Sequence, residues 1–259
     1  MPFARRKEQK NPAMNQSSSK RLPLLDTLRG ASLVSMVLYH ALWDQVHLVS
    51  MPAWYSEHWS RPWQQSICWS FILLSGFCWS LSRRPLRHGL TNLGCAGLIT
   101  LVTLVALPDA PIWWGVLFLL GTSGLLLIPL HGPLERVPPG TGMALSAALF
   151  ALTRRVNWGS VGLGPLRWTL PRALYRNQLT AALGFPPADF LSSDYFSLIP
   201  WFFLYVFGYF LFRLGAERWQ SLPALRREVP VLSWLGRHSL AVYLLHQPVL
   251  YLLIVVLQR

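Results

Sequence analysis

The chain has 259 residues, 53% of them hydrophobic and only 13% charged, whereas a soluble domain carries about a quarter charged residues. The apolar residues run in long blocks, which excludes an ordinary soluble globule and points to a multi-pass membrane protein. The formal net charge of +13 does not indicate a nucleic-acid binder, because the basic residues flank the apolar blocks as membrane-edge residues do.

Residues 1–22 are polar and basic and bury nothing, so they read as a disordered cytoplasmic tail ahead of a membrane domain over 23–259. No small-residue cleavage site follows the first apolar block, so no cleavable signal peptide is expected. Seven spans follow, at residues 23–43, 65–82, 91–107, 112–130, 141–153, 197–214 and 231–257, the last expected to kink at Pro248. The fold class is therefore all-α, a polytopic transmembrane helix bundle. Fifteen of the 23 basic residues fall on the N-terminal side of such a bundle, among them Arg83, Arg84, Arg87, Arg226 and Arg227, which predicts a cytoplasmic N-terminus. Seven, including Arg61, Arg154, Arg155 and Arg259, fall on the other side, most of them in the long segment 154–196. That segment is expected to fold over the outer mouth of the bundle.

Span one, LDTLRGASLVSMVLYHALWD, carries Asp26, Arg29, His40 and Asp44. At 100° per residue Arg29 and His40 fall about 20° apart, and both aspartates about 60° from Arg29. One stripe results, with Arg29 and His40 about 16 Å apart along the axis. A charge near the centre of a span costs roughly 2.5–3.5 kcal/mol, so such groups usually face the bundle interior and often mark function. Asp44 is placed to accept the His40 imidazole N–H and orient it as a base. The plainer alternatives are an Asp26–Arg29 structural pair, a hydrogen-bonded core histidine and a solvated Asp44. Cys68 and Cys78 would lie about 15 Å apart on one helix, too far to bridge, and the cysteines have no metal spacing.

Four stretches in order carry a resemblance. LDTLRGASLVSMVLYH (25–40), FILLSGFCWSLS (71–82), DYFSLIPWFFLYVFGYFLFR (194–213) and SLAVYLLHQPVL (239–250) resemble the heparan-α-glucosaminide N-acetyltransferase-like catalytic domain, related to the acyltransferase-3 group of membrane acyltransferases. The resemblance implies transfer of an acyl group, typically acetyl from cytoplasmic acetyl-CoA, to a hydroxyl or amine of an extracytoplasmic sugar-like acceptor. It implies His40 as the working histidine and Arg29 as the arginine of the Arg-x10-His pattern. Two departures stand out. GVLF (115–118) has Phe118 where the family often has His. In the lysosomal branch the working histidine lies further into the following loop, which keeps His47 and His58 as alternatives.

On this reading His40 and Asp44 are catalytic, His40 acting as general base or acyl-accepting nucleophile. Arg29 and Arg237 would meet CoA phosphates, with membrane anchoring as the alternative for Arg237. Ser75, Asp194, Tyr195 and His246 would bind substrate. Against this, Ser75–Gly76 suits close helix packing, Asp194 suits an N-cap of the sixth span, and His246 a structural hydrogen bond. No metal is expected. The expected partners are membrane lipids, acyl-CoA and a sugar or glycan acceptor, with no nucleic acid; the oligomeric state is left open, a homodimer included. The compact size fits a bacterial inner-membrane protein. The competing class is a proton-coupled transporter or exporter of a glycan precursor, which intramembrane His and Asp would suit, but the sequence has no evident inverted repeat.

Overall fold

Proline starts four of the principal helices. Pro23, Pro85, Pro139 and Pro230 each occupy a first helical position, where the missing N–H costs nothing and the fixed φ is already helical. In the computed structural model, which describes residues 22–49, 52, 54–219 and 221–257, these prolines open α1 (Pro23–Asp44), α3 (Pro85–Ala106), α5 (Pro139–Thr153) and α9 (Pro230–Arg237). The other helices are α2 (Glu57–Trp79), α4 (Val116–Glu135), α6 (Gln178–Leu183), α7 (Leu198–Leu214), α8 (Ala216–Trp219) and α10 (Ser239–Leu257). The described residues are 73% helical. Among the described residues one hairpin, β1 (Ser160–Leu163) with β2 (Leu166–Thr169), interrupts the all-α pattern within the segment expected to fold over the outer mouth of the bundle.

Helices occupy all seven predicted stretches. Among the described residues three are long and apolar enough to cross a membrane: α3, α4 and α10. The basic tail lies outside the described residues except Leu22, which is buried beside Leu25 and Phe77 rather than free; Arg259 also lies outside them.

The core is built on α7. Its Trp201, Leu204, Tyr205, Tyr209 and Phe210 pack with Ile72 of α2, Leu119 and Leu127 of α4 and Phe150 of α5. Glycines bring the backbones together. A Cβ on Gly76 would sit 2.0 Å from the Tyr205 carbonyl oxygen, and one on Gly208 would sit 2.4 Å from that of Leu73. The same device joins α1 to α9, where a Cβ on Gly30 would lie 1.9 Å from Leu232 O and one on Gly236 1.9 Å from Asp26 O. Such contacts let membrane helices pack without a hydrophobic driving force. α3 packs on α4 and leaves Leu90, Leu98, Leu101 and Val105 exposed, and α10 has no fully buried residue, the pattern expected of helices facing lipid.

Several boundaries differ from expectation: α2 begins at Glu57 rather than 65, α3 at Pro85 rather than 91, and α4 ends at Glu135 rather than 130. The last span breaks at His238 (φ −103°, ψ 23°) between α9 and α10, and α10 runs through Pro248. α9 is pinned across α1 by the close approaches of Gly30 to Leu232 and of Gly236 to Asp26, and by the hydrogen bond between Thr27 and Ser233, 2.7 Å long. The chain must turn as soon as that contact ends, and the proline further on is accommodated within one helix.

Candidate active site

The two ends of α1 meet different partners. At the N-terminal end Arg29 Nη1 is 3.2 Å from Asp26 Oδ1, and Nη2 donates to Cys78 Sγ of α2 at 3.2 Å. Thr27 Oγ1 accepts from the Val229 backbone N–H at 3.2 Å. Beside it Arg237 pairs with Glu228 at 2.9 Å. Both arginines predicted for phosphates are therefore held by carboxylates here, and the plainer reading of Asp26–Arg29 as a pair is the one the geometry displays.

At the C-terminal end the stripe meets α10. The His40 ring stands edge-on to His246 with centroids 4.9 Å apart, and Tyr39 flanks it at 5.9 Å. Asp44 is fully buried. Its carboxylate does not accept the His40 N–H; instead Gln247 Nε2 donates to Oδ1 at 2.9 Å and to Oδ2 at 3.0 Å. The reason is reach across the bundle: α10 lays its amide onto both oxygens at once, while His40 turns to His246.

The tautomer of His246 follows from its partner. Nδ1 lies 2.6 Å from the Tyr243 carbonyl oxygen, which can only accept, so Nδ1 carries the proton and Nε2 presents a lone pair. By the same logic Gln247 turns its NH2 to the carboxylate and leaves Oε1 as an acceptor. Four buried side-chain N or O atoms among the described residues have no partner: Ser80 Oγ, Ser123 Oγ, His246 Nε2 and Gln247 Oε1. The last two belong to adjacent residues. Buried polar groups are nearly always satisfied, so two neighbouring bare acceptors call for a donor.

Asp194 fastens the same region from another side. Its Oδ2 accepts from Val116 N–H at 3.2 Å and from Tyr243 O–H at 3.1 Å. It therefore serves the N-terminus of α4, not that of the sixth span, the alternative to substrate binding read from the sequence, because Gly115 leaves room there: a Cβ at Gly115 would stand 2.8 Å from Oδ2. Burial raises the Asp194 carboxyl above its usual range. Tyr195 donates to the Ala181 carbonyl at 2.6 Å, latching α6, and burial pushes its phenol up to about 12. Ser75 forms no side-chain hydrogen bond among the described residues, while its neighbour Gly76 makes the close approach to α7.

Among the described residues the alternative histidines make no ring contact with His40 or His246. His47 is exposed and stacks on Trp43 at 4.1 Å, its Nδ1 2.8 Å from the Trp43 carbonyl. His58 is exposed near the start of α2. Phe118, where the family often has His, packs its ring on Trp114 at 4.7 Å. A groove of about 410 Å³ between α1 and α2 is lined by Ser32, Ser35, Ser66, Ser70 and apolar neighbours, and one of about 250 Å³ by Leu33, Val37, Leu235, Val242 and two others. Neither includes a predicted site residue. The residues that the sequence reading missed are Gln247 and Tyr243. Both stand inside the quoted stretch SLAVYLLHQPVL, where only the histidine was taken.

With this geometry in place, the comparison with family models is decisive. Residues 21–248 match the model described as heparan-alpha-glucosaminide N-acetyltransferase, catalytic. The chain belongs to this family. No curated protein and no solved structure matches it. Family and apolar helices together make it a membrane protein of an acetyltransferase class. The match covers all four quoted motifs except the last two residues of the fourth. It takes in His40, Asp44, His246 and Gln247 alike.

Proposed function

We propose that this protein is a multi-pass acyltransferase that moves an acyl group, acetyl from acetyl-CoA, to a hydroxyl or amine of a sugar-like acceptor on the opposite side of the membrane. The observation that carries the reading is the pair of bare buried acceptors, His246 Nε2 and Gln247 Oε1, beside the His40 ring. An acceptor O–H or N–H supplies the donor that these atoms lack, and binding there brings it to His40. The His40 ring takes the proton as the acceptor oxygen or nitrogen attacks the thioester carbonyl, the C–S bond breaks, and the proton passes to the departing thiolate. In the two-step alternative, the His40 imidazole takes the acyl group first and hands it to the acceptor. Asp44, held by Gln247, fixes the position of α10 against α1 and so the spacing of the two histidines. Seven spans with a cytoplasmic N-terminus would put Arg29 and Arg237 near the donor's phosphates. Each would then exchange its present carboxylate partner for phosphate.

The test uses the full chain in nanodiscs with radiolabelled acetyl-CoA and glucosamine-type acceptors. CoA release that depends on acceptor and is lost in His40→Ala supports the reading, and mass spectrometry of the product separates N- from O-acetylation. Turnover that survives His40→Ala removes His40 from the chemistry. Movement of a glycan precursor across the bilayer without thioester cleavage would replace the enzyme with a transporter.

A further inference from the structure

The hairpin between α5 and α6 is amphipathic and its apolar side is bare. Its register pairs Val161 with Trp168 and Leu163 with Leu166. Residues directly opposed share a face, and alternate residues along a strand share it too. Val161, Leu163, Leu166 and Trp168 therefore form one face, and Ser160, Gly162, Arg167 and Thr169 the other. The two-residue loop Gly164–Pro165 allows so tight a hairpin because Gly164 takes φ +53°. Leu163 is 54% exposed, Leu166 69% and Trp168 63%, and Trp158 just before the hairpin is 74% exposed. No element of the described protein covers them.

Charge identifies the occupant. Residues 154–193 contain five arginines and one acid, Asp189. Arg154 is turned inward onto the Trp201 ring at 4.6 Å, and the other four, Arg155, Arg167, Arg172 and Arg176, are exposed. Exposed Trp and Leu on one side with Arg around them is the composition of an element lying in the membrane interface. The hairpin also follows α5 by only a few residues, and α5 presents Leu145, Leu149 and Leu152 exposed in a single stripe. We infer that the face formed by Leu163, Leu166 and Trp168 docks onto an anionic phospholipid leaflet, with Arg155, Arg172 and Arg176 meeting lipid phosphates. The hairpin then lies at the bilayer surface beside the bundle rather than closing its mouth.

The test places a nitroxide at Leu166→Cys, and separately at Arg167→Cys on the opposite face, in the full chain reconstituted in nanodiscs. Signal from the three native cysteines is measured on the unsubstituted chain and subtracted. The expected result is an oxygen-to-nickel accessibility ratio several-fold higher at position 166 than at 167, rising further from neutral to anionic lipid. Equal, water-like ratios at both positions overturn the inference. So does dipolar broadening at position 166, which would mean a second copy covers the face, or protection that arises only when a glycan acceptor is added. Because a labelled variant can fail to fold, unlabelled protein gives a second reading. Brominated anionic lipid should quench a smaller share of tryptophan fluorescence in Trp158→Phe/Trp168→Phe than in the parent chain, and an unchanged share also overturns the inference.

Discussion

At the N-terminal end of α1, Asp26 and Arg29 pair, Thr27 bonds both Ser233 and Val229, and Gly30 lies against the Leu232 backbone. Fifteen residues further along the same helix, Asp44 is tied to Gln247 while His246 Nε2 and Gln247 Oε1 have no partner. Both ends carry an aspartate and a basic side chain, and the first contacts α9 while the second contacts α10. What separates them is whether their hydrogen bonds are complete. A finished polar network rigidifies a junction, whereas buried acceptors left bare are retained where a ligand completes them. The difference divides one motif into a fastening half and a working half.

The hardest blow to that division would come from the histidine. His40→Ala should cut turnover by roughly 10²–10⁴, the usual contribution of a positioned general base, with no fall in thermal midpoint, since His40 makes no side-chain hydrogen bond among the described residues. Acetyl transfer followed beside thermal unfolding reads both. Arg29→Ala should instead raise the KM for acetyl-CoA; if it cut kcat as severely as His40→Ala at an unchanged midpoint, the N-terminal end would belong to the chemistry and the comparison would fail.

Gly30→Val probes the opposite end. Its Cβ would fall 1.9 Å from a backbone oxygen, an obstacle that no rotamer change relieves, so the cost should reach or exceed the ~1–3 kcal/mol typical of overpacking. Loss of monodisperse protein in detergent is the expected outcome. Wild-type yield with normal turnover would mean that α1 and α9 do not meet as described.

Gln247→Leu sharpens the C-terminal end. It strands the buried Asp44 carboxylate, which should cost about 1–3 kcal/mol in stability and lower turnover as well. Asp44→Leu/Gln247→Leu removes both partners, and replacing both by apolar groups can be nearly neutral. The double variant should therefore recover much of the thermal midpoint but not the turnover. Recovery of both would reduce Asp44 and Gln247 to structural filler.

The spacing of α1 made the stripe legible, because 3.6-residue periodicity is a local property. It also made Asp44 and His40 look like partners, and that failed for a non-local reason: the donor to Asp44 comes from Gln247, 203 residues away. The same limit hid the role of Asp194, whose place before the sixth span suggested a cap for that helix. Its carboxylate instead reaches Val116, a contact that only the tertiary packing and the open space at Gly115 provide. The break at His238 was missed because proline is the strongest local signal for a kink, and here the kink comes from docking against α1. The family motifs fared better. SLAVYLLHQPVL contains both residues that complete the site, one beside the histidine and one three positions before it.

The smallest effect tests the comparison most finely. Thr27→Val keeps the shape of the side chain and removes only Oγ1, which is 2.7 Å from Ser233 Oγ and 3.2 Å from the Val229 nitrogen. A net hydrogen bond is worth about 0.5–1.5 kcal/mol, and Ser233 keeps a weaker contact with the Pro23 carbonyl at 3.4 Å. A loss near the lower end of that range is therefore expected, visible as a thermal shift of a few degrees at most. Turnover and the KM for acetyl-CoA, measured well below the midpoint, should both stay at wild-type values if this end only fastens α1 to α9. A raised KM at unchanged kcat would instead mean that the α1–α9 junction helps to hold the donor, because loosening it would then weaken ground-state and transition-state binding equally.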